Sequence, residues 1–165
     1  MSKRRRDLIP LFYAFGAAVF EGQHLEHGLQ LLLALIDHEL EVRGKSRVRL
    51  NVDSPTAHKK LGQLFDEVQQ FEYLTDAERK IIQKGLKTRN FLVHAYWKHE
   101  RIKQGNTLAG RKAIFAELDE LREVCRKAGR LVDSFIDQHL AKAGTSLDEL
   151  SRPLWDQWQS DEAIH

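Results

Sequence analysis

The sequence has few cysteines, few prolines and no long apolar run. Of its 165 residues, one is cysteine and three are proline. The single thiol, Cys125, excludes an intrachain disulfide framework and suits a reducing compartment. The apolar run from Leu8 to Phe20 is too short to span a bilayer. The pattern continues through Glu21 to Ile36 as one amphipathic segment, which favours a helix of a cytoplasmic protein over a signal peptide and predicts no membrane partner.

The net charge and the length of the chain both limit what the protein can be. The formal net charge of +2 is too small to make the whole protein a binder of polyanions. A chain of 165 residues fits one domain that folds without metal or disulfide. The charge is uneven at the ends, since Lys3 to Arg6 are basic and the last residues are acidic. We predict a basic tail at 1–7, a helical bundle at 8–143 and an amphipathic appendage at 144–165.

Apolar residues recur every three to four positions, and only the short alternation at 48–52 resembles a strand. The first predicted helix runs from about Leu8 to about Val42. Gly16, Gly22 and Gly28 weaken it or mark close approach of a neighbouring helix. Its predicted inner face consists of Phe15, Val19, Gly22, Glu26, Leu29, Leu33, Ile36 and Leu40.

Three further helices are predicted. The second opens at Ser54-Pro55, and the third opens with a capping box from Thr75 to Glu78 and runs to about His99. The fourth ends at Gly144. Their number and short connections predict an all-α, four- to five-helix up-down bundle. The apolar face of the second helix comprises Leu61, Leu64, Phe65, Val68 and Phe71, and that of the fourth comprises Ile114, Leu118, Leu121, Cys125, Ala128, Val132 and Phe135.

Four polar side chains lie near the end of the predicted third helix: Arg89, Asn90, His94 and Tyr96. At 100° per residue, Arg89 falls within about 20° of Ile82, in the middle of the apolar stripe. Tyr96 lies on the same line, and Asn90 and His94 neighbour each other at its edge. Because a charge in a dry core is costly, the stripe is predicted to border a cleft or a subunit interface.

Each of these residues also has a structural interpretation. Arg89 can pair with Glu26, which lies on the apolar stripe of the first helix. His94 can be a core histidine held by a backbone carbonyl, and Tyr96 can be a packed aromatic with its hydroxyl at the rim. Composition and spacing leave these interpretations open beside a catalytic one.

Together the four residues spell R-N-x-x-x-H-x-Y. This pattern resembles the signature of HEPN domains (higher eukaryotes and prokaryotes nucleotide-binding), in which Arg is followed several residues later by His. With Tyr two positions after His, it is similar to the toxins of HEPN–nucleotidyltransferase toxin–antitoxin pairs. The segment Leu61 to Leu64 adds a similarity to small bacterial HEPN-like proteins. The resemblance covers about Leu8 to Leu140 in helix order and is specific across Arg89 to Tyr96.

The resemblance implies metal-independent cleavage of RNA by a homodimer, without a cofactor. His94 would take the proton of a ribose 2′-OH, and the freed oxygen would attack phosphorus to leave a cyclic phosphate. Arg89 would bind the phosphate and stabilise its charge, with Asn90 orienting the imidazole or binding phosphate. The partner's His94 would protonate the leaving oxygen. Tyr96 would contact substrate or receive an inactivating nucleotide, and an antitoxin or nucleotidyltransferase would be a separate chain.

RNA binding also needs basic and aromatic side chains. Six candidates cluster along the predicted third helix and its exit: Lys84, Lys87, Trp97, Lys98, Arg101 and Lys103. An ordinary solvated helix face explains them as well. The Arg4 to Arg6 tail is a further candidate for phosphate contacts.

Two other features suggest chemistry less strongly. Glu21-x-x-His24 is the local form of a di-iron ligand pair, but its other match, Glu162 to His165, is at the chain terminus, so no metal site is predicted. Cys125 lies on the apolar stripe of the fourth helix and is predicted to be a buried structural thiol.

Apolar residues on several sides of the third helix predict an interface. Phe91 and Leu92 point away from its main stripe, as a homodimer contact through this helix requires. The predicted function is a HEPN-like endoribonuclease or an RNA- or nucleotide-binding protein, with the toxin of a toxin–antitoxin or defence system as its setting. The alternative is a non-catalytic helical interaction protein in which Arg89 and His94 serve the structure.

Overall fold

The computed structural model describes residues 8–41, 63, 66, 74–149 and 152, and the backbone alone at 37–41, 99, 100 and 102. Its regular structure consists of four helices, which pack on one another without a strand in these ranges. This confirms the predicted all-α bundle. No helix in the described part is long and apolar enough to cross a bilayer. The helices are α1 (Ile9–Glu41), α2 (Asp76–His94), α3 (His99–Gln104) and α4 (Leu108–Lys142).

Helix α1 continues through all three glycines that the sequence marked as weak points. Two of them mark close helix contacts, as predicted. A Cβ on Gly22 would lie 2.9 Å from Cγ of Arg89, and a Cβ on Gly28 would lie 3.2 Å from Cγ1 of Val132. A Cβ on Gly16 would meet nothing within 4 Å in the described structure, so of the two alternatives close approach does not apply there.

The buried face of α1 overlaps the predicted face and is rotated from it near the start of the helix. Gly22, Leu29 and Leu33 of the predicted face are buried, whereas Phe15 and Val19 are only half-buried. The reason is that α1 packs against both α2 and α4, so its most deeply buried residues lie on a line between the two contacts. That line consists of Leu11, Ala18, Leu25, Leu29 and Leu32.

Helix α2 begins with the predicted capping box. The Thr75 hydroxyl accepts a hydrogen bond from the Glu78 backbone N–H at 3.3 Å, and the Glu78 carboxylate accepts one from the Thr75 backbone N–H at 2.7 Å. Its end differs from the prediction, because Ala95 leaves helical geometry with φ −135° and the helix stops at His94. The following residues form the separate helix α3.

Helix α4 carries the predicted apolar stripe and ends at the predicted glycine. Gly144 has φ +73°, the left-handed conformation that favours glycine. Its N–H donates to the Ala141 carbonyl, and the Thr145 N–H donates to the Leu140 carbonyl, both at 3.0 Å. These two bonds form a Schellman motif, which satisfies carbonyls that the helix end would otherwise leave open.

Helices α1 and α4 run parallel. Their contacts advance together along both helices, from Glu21 with Arg126 to Gly28 with Val132. The bundle therefore has a near end, where α1 and α4 begin, and a far end, where both finish.

Helix α2 runs antiparallel to the other two long helices. Tyr96, just after its end, stacks on Phe15 at the near end with ring centroids 5.6 Å apart. Gly85, in the middle of α2, lies against Leu25 and Ala128, and a Cβ there would be 2.5 Å from Cβ of Ala128. The missing side chain lets the three helices meet closely, as ridge-and-groove packing requires.

Several predictions concern residues outside the described ranges. Of the predicted second helix, Gln63 and Asp66 are described and are helical. After α4, the hydroxyl of Ser146 accepts a hydrogen bond from the Glu149 N–H at 3.2 Å and opens a short helical turn. The predictions that lie outside are the start of the second helix at Ser54-Pro55, the apolar face of that helix, the strand-like segment 48–52, the basic tail at 1–7, and most of the appendage after Glu149.

Candidate functional site

Arg89 lies where α1 and α2 touch. The absence of a side chain at Gly22 leaves room for the aliphatic part of Arg89, whose guanidinium then reaches the carboxylate of Glu26 on α1. The two side chains are 16% and 18% exposed, so the ion pair is largely withdrawn from water. The structural pairing that the sequence offered for Arg89 is therefore present. In the described residues, Nε of Arg89 is buried without a hydrogen-bond partner.

Asn90 links Arg89 to the surface. Nη1 of Arg89 donates to Oδ1 of Asn90 at 3.1 Å, and Asn90 is exposed. With its oxygen engaged, the amide of Asn90 turns its N–H₂ group away from Arg89 and can donate to a ligand. One guanidinium thus holds an inner carboxylate and an outer amide.

His94 is the last residue of α2 and is exposed to solvent. It has no partner among the described residues, so the interpretation as a core histidine is wrong for this side chain. It follows Asn90 by four residues, which places the two side chains on adjacent turns of one face. The imidazole is therefore accessible to an external ligand.

Arg89 and His94 are not on the same side of α2. Five residues of helix separate them by about 140° around the axis and about 7.5 Å along it. Arg89 reaches toward α1 while His94 faces water. Asn90 lies between them: it accepts the hydrogen bond from the guanidinium and is one helical turn from His94. We call Glu26, Arg89, Asn90 and His94 the polar strip.

Tyr96 does not join this strip. It lies beyond the end of α2 and is 1% exposed, packed against Phe15, Phe91 and Trp97. The helical-wheel argument that aligned it with Arg89 fails because the helix stops at His94. The packed-aromatic interpretation describes this residue, and a substrate contact or modification at its hydroxyl does not fit the burial.

The hydroxyl of Tyr96 lies beside a charged pair that the sequence analysis missed. It donates to Oε2 of Glu117 at 3.3 Å, and Arg101 binds the same carboxylate while its guanidinium carbon lies 4.6 Å from the Tyr96 ring centroid. Burial, and next the negative charge of Glu117, raise the pKa of Tyr96 to about 12. The sequence could have identified Glu117 from its position on the apolar stripe of α4 between Ile114 and Leu121, where a charged residue needs a partner.

The six predicted RNA-binding residues fall into two groups. Two are engaged in the fold: Arg101 pairs with Glu117, and Trp97 packs against Phe12 and Phe15. These two also border a pocket of about 260 Å³ at the near end. The other four are exposed lysines, Lys84, Lys87, Lys98 and Lys103, of which Lys103 also has a partner in the fold.

Phe91 and Leu92, the two residues on which the predicted dimer contact through α2 was based, are packed within the bundle. Leu92 is buried in the near-end core beside Leu11 and Ile114, and Phe91 is half-buried with the Arg101 guanidinium 5.1 Å from its ring. Both were expected to point outward. They instead face α4 and α3, because the bundle surrounds α2 on more than one side.

Comparison of the chain with protein-family models, curated proteins and solved structures finds no match. The polar strip is therefore interpreted from its own chemistry and from the resemblance of its sequence pattern.

Glu21 and His24 both contact charged residues of α4. Oε1 of Glu21 accepts from Nε of Arg126 at 3.0 Å and lies 3.5 Å from Nε of Arg122, and His24 lies 3.7 Å from Asp133. Two arginines on one carboxylate make it a poor ligand for a cation. In the ranges that the structure covers, no group of three or more His, Cys, Asp or Glu is placed to hold a metal ion.

Proposed function

We propose that this chain is a HEPN-like endoribonuclease that cleaves RNA as a homodimer without a metal ion. The observation that carries the proposal is an exposed imidazole, His94, one helical turn from an amide that is hydrogen-bonded to a largely buried arginine. The resemblance of R-N-x-x-x-H-x-Y to the HEPN signature supplies the reaction class.

His94 would act as the general base. A neutral imidazole removes the proton of a ribose 2′-OH at neutral pH, and the resulting oxygen attacks the adjacent phosphorus. The bond to the 5′-oxygen breaks, which leaves a 2′,3′-cyclic phosphate and a 5′-hydroxyl. The exposure of His94 gives an RNA strand access to it.

Arg89 and Asn90 would hold the phosphate. Glu26 fixes Nη2 of Arg89, so the guanidinium is oriented before substrate arrives, and Nη1 lies at the outer edge with Asn90. The free N–H₂ of Asn90 and the edge of the guanidinium would then donate to phosphate oxygens as charge develops on them. Glu26 offsets part of the positive charge, so the four exposed lysines would supply the long-range attraction for RNA.

The leaving 5′-oxygen needs a proton, and each polar strip contains one imidazole. A second copy of the chain across a two-fold axis would provide the partner's His94 as the acid. The homodimer is thus part of the proposed chemistry. In a toxin–antitoxin or defence setting, an antitoxin or nucleotidyltransferase would be a separate chain.

The decisive experiment compares RNA cleavage by matched histidine variants in EDTA. We expect the wild type to cleave total RNA and leave cyclic phosphate ends, and His94→Ala to lose at least about 100-fold in rate. His27→Ala removes another exposed histidine and should cleave as the wild type does. Circular dichroism checks that all three are equally helical.

Equal cleavage by the wild type and His94→Ala would overturn the proposal, as would cleavage that stops in EDTA. Expression in bacteria gives a second measurement, because toxicity should disappear with His94→Ala.

A second function, a non-catalytic helical interaction protein, is favoured by one observation. The Arg89–Glu26 ion pair and the buried Tyr96 already satisfy these side chains without a ligand. This function predicts a folded wild type that cleaves no RNA and is not toxic. The same EDTA experiment therefore separates the two functions.

A further inference from the structure

Helix α1 has an apolar face that points away from the bundle. Six residues at helical spacing form it, and we call them the outer α1 face. They line a groove of about 510 Å³. The apolar pattern of the sequence predicted a single buried side for this helix and did not distinguish this second face. The six residues are Ile9, Phe12, Tyr13, Gly16, Ala17 and Phe20.

The outer α1 face exposes more apolar surface than scattered residues do. Phe12, Tyr13 and Phe20 are 58%, 77% and 66% exposed. At about 200 Å² for a fully exposed aromatic side chain, this is about 400 Å² of aromatic surface. No charged residue occurs from Leu8 to Phe20. An uncharged patch of this size is typical of an interaction site.

The points at which the rest of the chain joins the described part bear on what could cover this face. Residues 42–73 and the residues after Glu149 join it at the far end, where α1 and α4 finish. Phe20 is about 30 Å from that end along α1, a distance that a stretch as long as 42–73 can span, so cover by these residues is the competing outcome and predicts a monomeric wild type. Residues 1–7 join at the near end, but Lys3 to Arg6 are cationic and the outer α1 face holds no acid to receive them.

We propose that the outer α1 face binds the same face of a second copy of this chain in an antiparallel two-fold contact. A two-fold axis between positions 16 and 17 places Gly16 opposite the partner's Ala17, and Phe20 opposite the partner's Tyr13. Small residues at the centre let the helices approach, and the aromatic rings fill the groove on either side. From position 13 to position 20, uncharged surface then meets uncharged surface.

The aromatic residues alone supply about two thirds of the smallest area that a stable contact needs. Two copies would bury about 800 Å² of aromatic surface, and Ile9, Ala17 and the polar rim would add to it. A standard stable interface buries roughly 1,200–2,000 Å² in total. Phe12 also touches Trp97, with ring centroids 5.8 Å apart, so the interface adjoins the chain just after His94. The contact is made through α1, not through α2 as the sequence predicted, and does not depend on ribonuclease activity.

The first test measures molar mass in solution by light scattering during gel filtration. We expect a dimer for the wild type and a monomer for the double variant Tyr13→Glu/Phe20→Glu, with the dissociation constant raised at least about 30-fold. Leu108→Glu is the matched control, because Leu108 is 64% exposed on α4 and lies outside the face. It should remain a dimer.

The second test places a thiol at the two-fold axis. A Cβ at position 16 meets open space in the described structure, and the single native thiol, Cys125, is buried. Gly16→Cys should therefore form an intermolecular disulfide on mild oxidation, whereas Leu108→Cys should not. A monomeric wild type, a double variant that stays dimeric, or a Gly16→Cys protein that does not cross-link would each overturn the proposal.

The outcomes separate this proposal from the proposed function. Cross-linking of Gly16→Cys without RNA cleavage would support the interface and reject the ribonuclease. RNA cleavage by a dimer that the Glu substitutions do not dissociate would support the ribonuclease and place its interface elsewhere.

Discussion

The carboxylate of Glu26 on α1 accepts a hydrogen bond from Nη2 of Arg89 on α2, at the point where Gly22 lets the two helices meet. Both side chains come from apolar stripes, and each neutralises a charge that would otherwise be costly in a partly buried position. The pair fixes the guanidinium on which both the structural and the catalytic interpretation depend.

The first prediction is that Glu26 and Arg89 are energetically coupled. Glu26→Gln and Arg89→Gln should each lower the free energy of unfolding by about 1–3 kcal/mol, because each leaves a partly buried partner unpaired. The double variant should lose less than the sum, with a coupling energy of about 1–2 kcal/mol. Urea unfolding of the four proteins measures this cycle, and strictly additive losses would show that the pair contributes nothing.

The second prediction concerns glycine at the centre of the bundle. Gly85→Ala should destabilise the protein by about 1–3 kcal/mol, because the new Cβ would lie 2.5 Å from Cβ of Ala128 and 2.7 Å from Cδ2 of Leu25. Gly16→Ala is the control, since it meets open space and should stabilise α1 by about 0.5–1 kcal/mol. Thermal unfolding at low protein concentration compares them. A Gly85→Ala protein as stable as Gly16→Ala would contradict the close contact.

Local signals made most of the fold predictable. The capping box at Thr75, the stripe of α4 and its stop at Gly144 each depend on residues within a few positions of one another. The pairing of Arg89 with Glu26 could also be predicted, because each is the one long polar residue on an otherwise apolar stripe.

The position of Tyr96 was not predictable in the same way. No Gly or Pro follows His94 to signal the end of α2, so a periodic pattern extends the helix too far. The break follows from tertiary packing, in which Tyr96 contacts Phe15 of α1 and bonds Glu117 of α4. The argument that identified Glu26 would have identified Glu117 as well, but its partner Arg101 lies beyond the unpredicted break.

The third prediction is a loss of stability at high pH that depends on Tyr96. Its pKa is raised to about 12 in the folded protein, mainly by burial, from an ordinary value near 10. The raised pKa means that folding favours the neutral phenol. Its contribution, up to about 2–3 kcal/mol, is present below pH 10 and is lost as pH rises toward 12. At a protein concentration low enough for the monomer, Tyr96→Phe should flatten the fall in melting temperature over this range, whereas Tyr13→Phe, which alters a tyrosine exposed in the single chain, should not. Parallel curves for wild type and Tyr96→Phe would contradict the burial of this hydroxyl.

The last prediction is that the Cys125 thiol is inert in the folded protein. Burial, followed by the negative charge of Glu21, raises its pKa to about 11 from an ordinary value near 9. Two units of pKa lower the thiolate fraction at pH 8 by about 100-fold, and the buried site blocks access further. A disulfide reagent should therefore react with native protein at least about 100-fold more slowly than with protein unfolded in urea.

Gly16→Cys provides the exposed thiol for comparison. It should add one fast-reacting thiol per chain when the protein is dilute enough to be monomeric, and that thiol should become protected as the concentration rises. Rapid reaction of native Cys125 would contradict the packing of α4 against Gly85, whose carbonyl lies 3.8 Å from this sulfur.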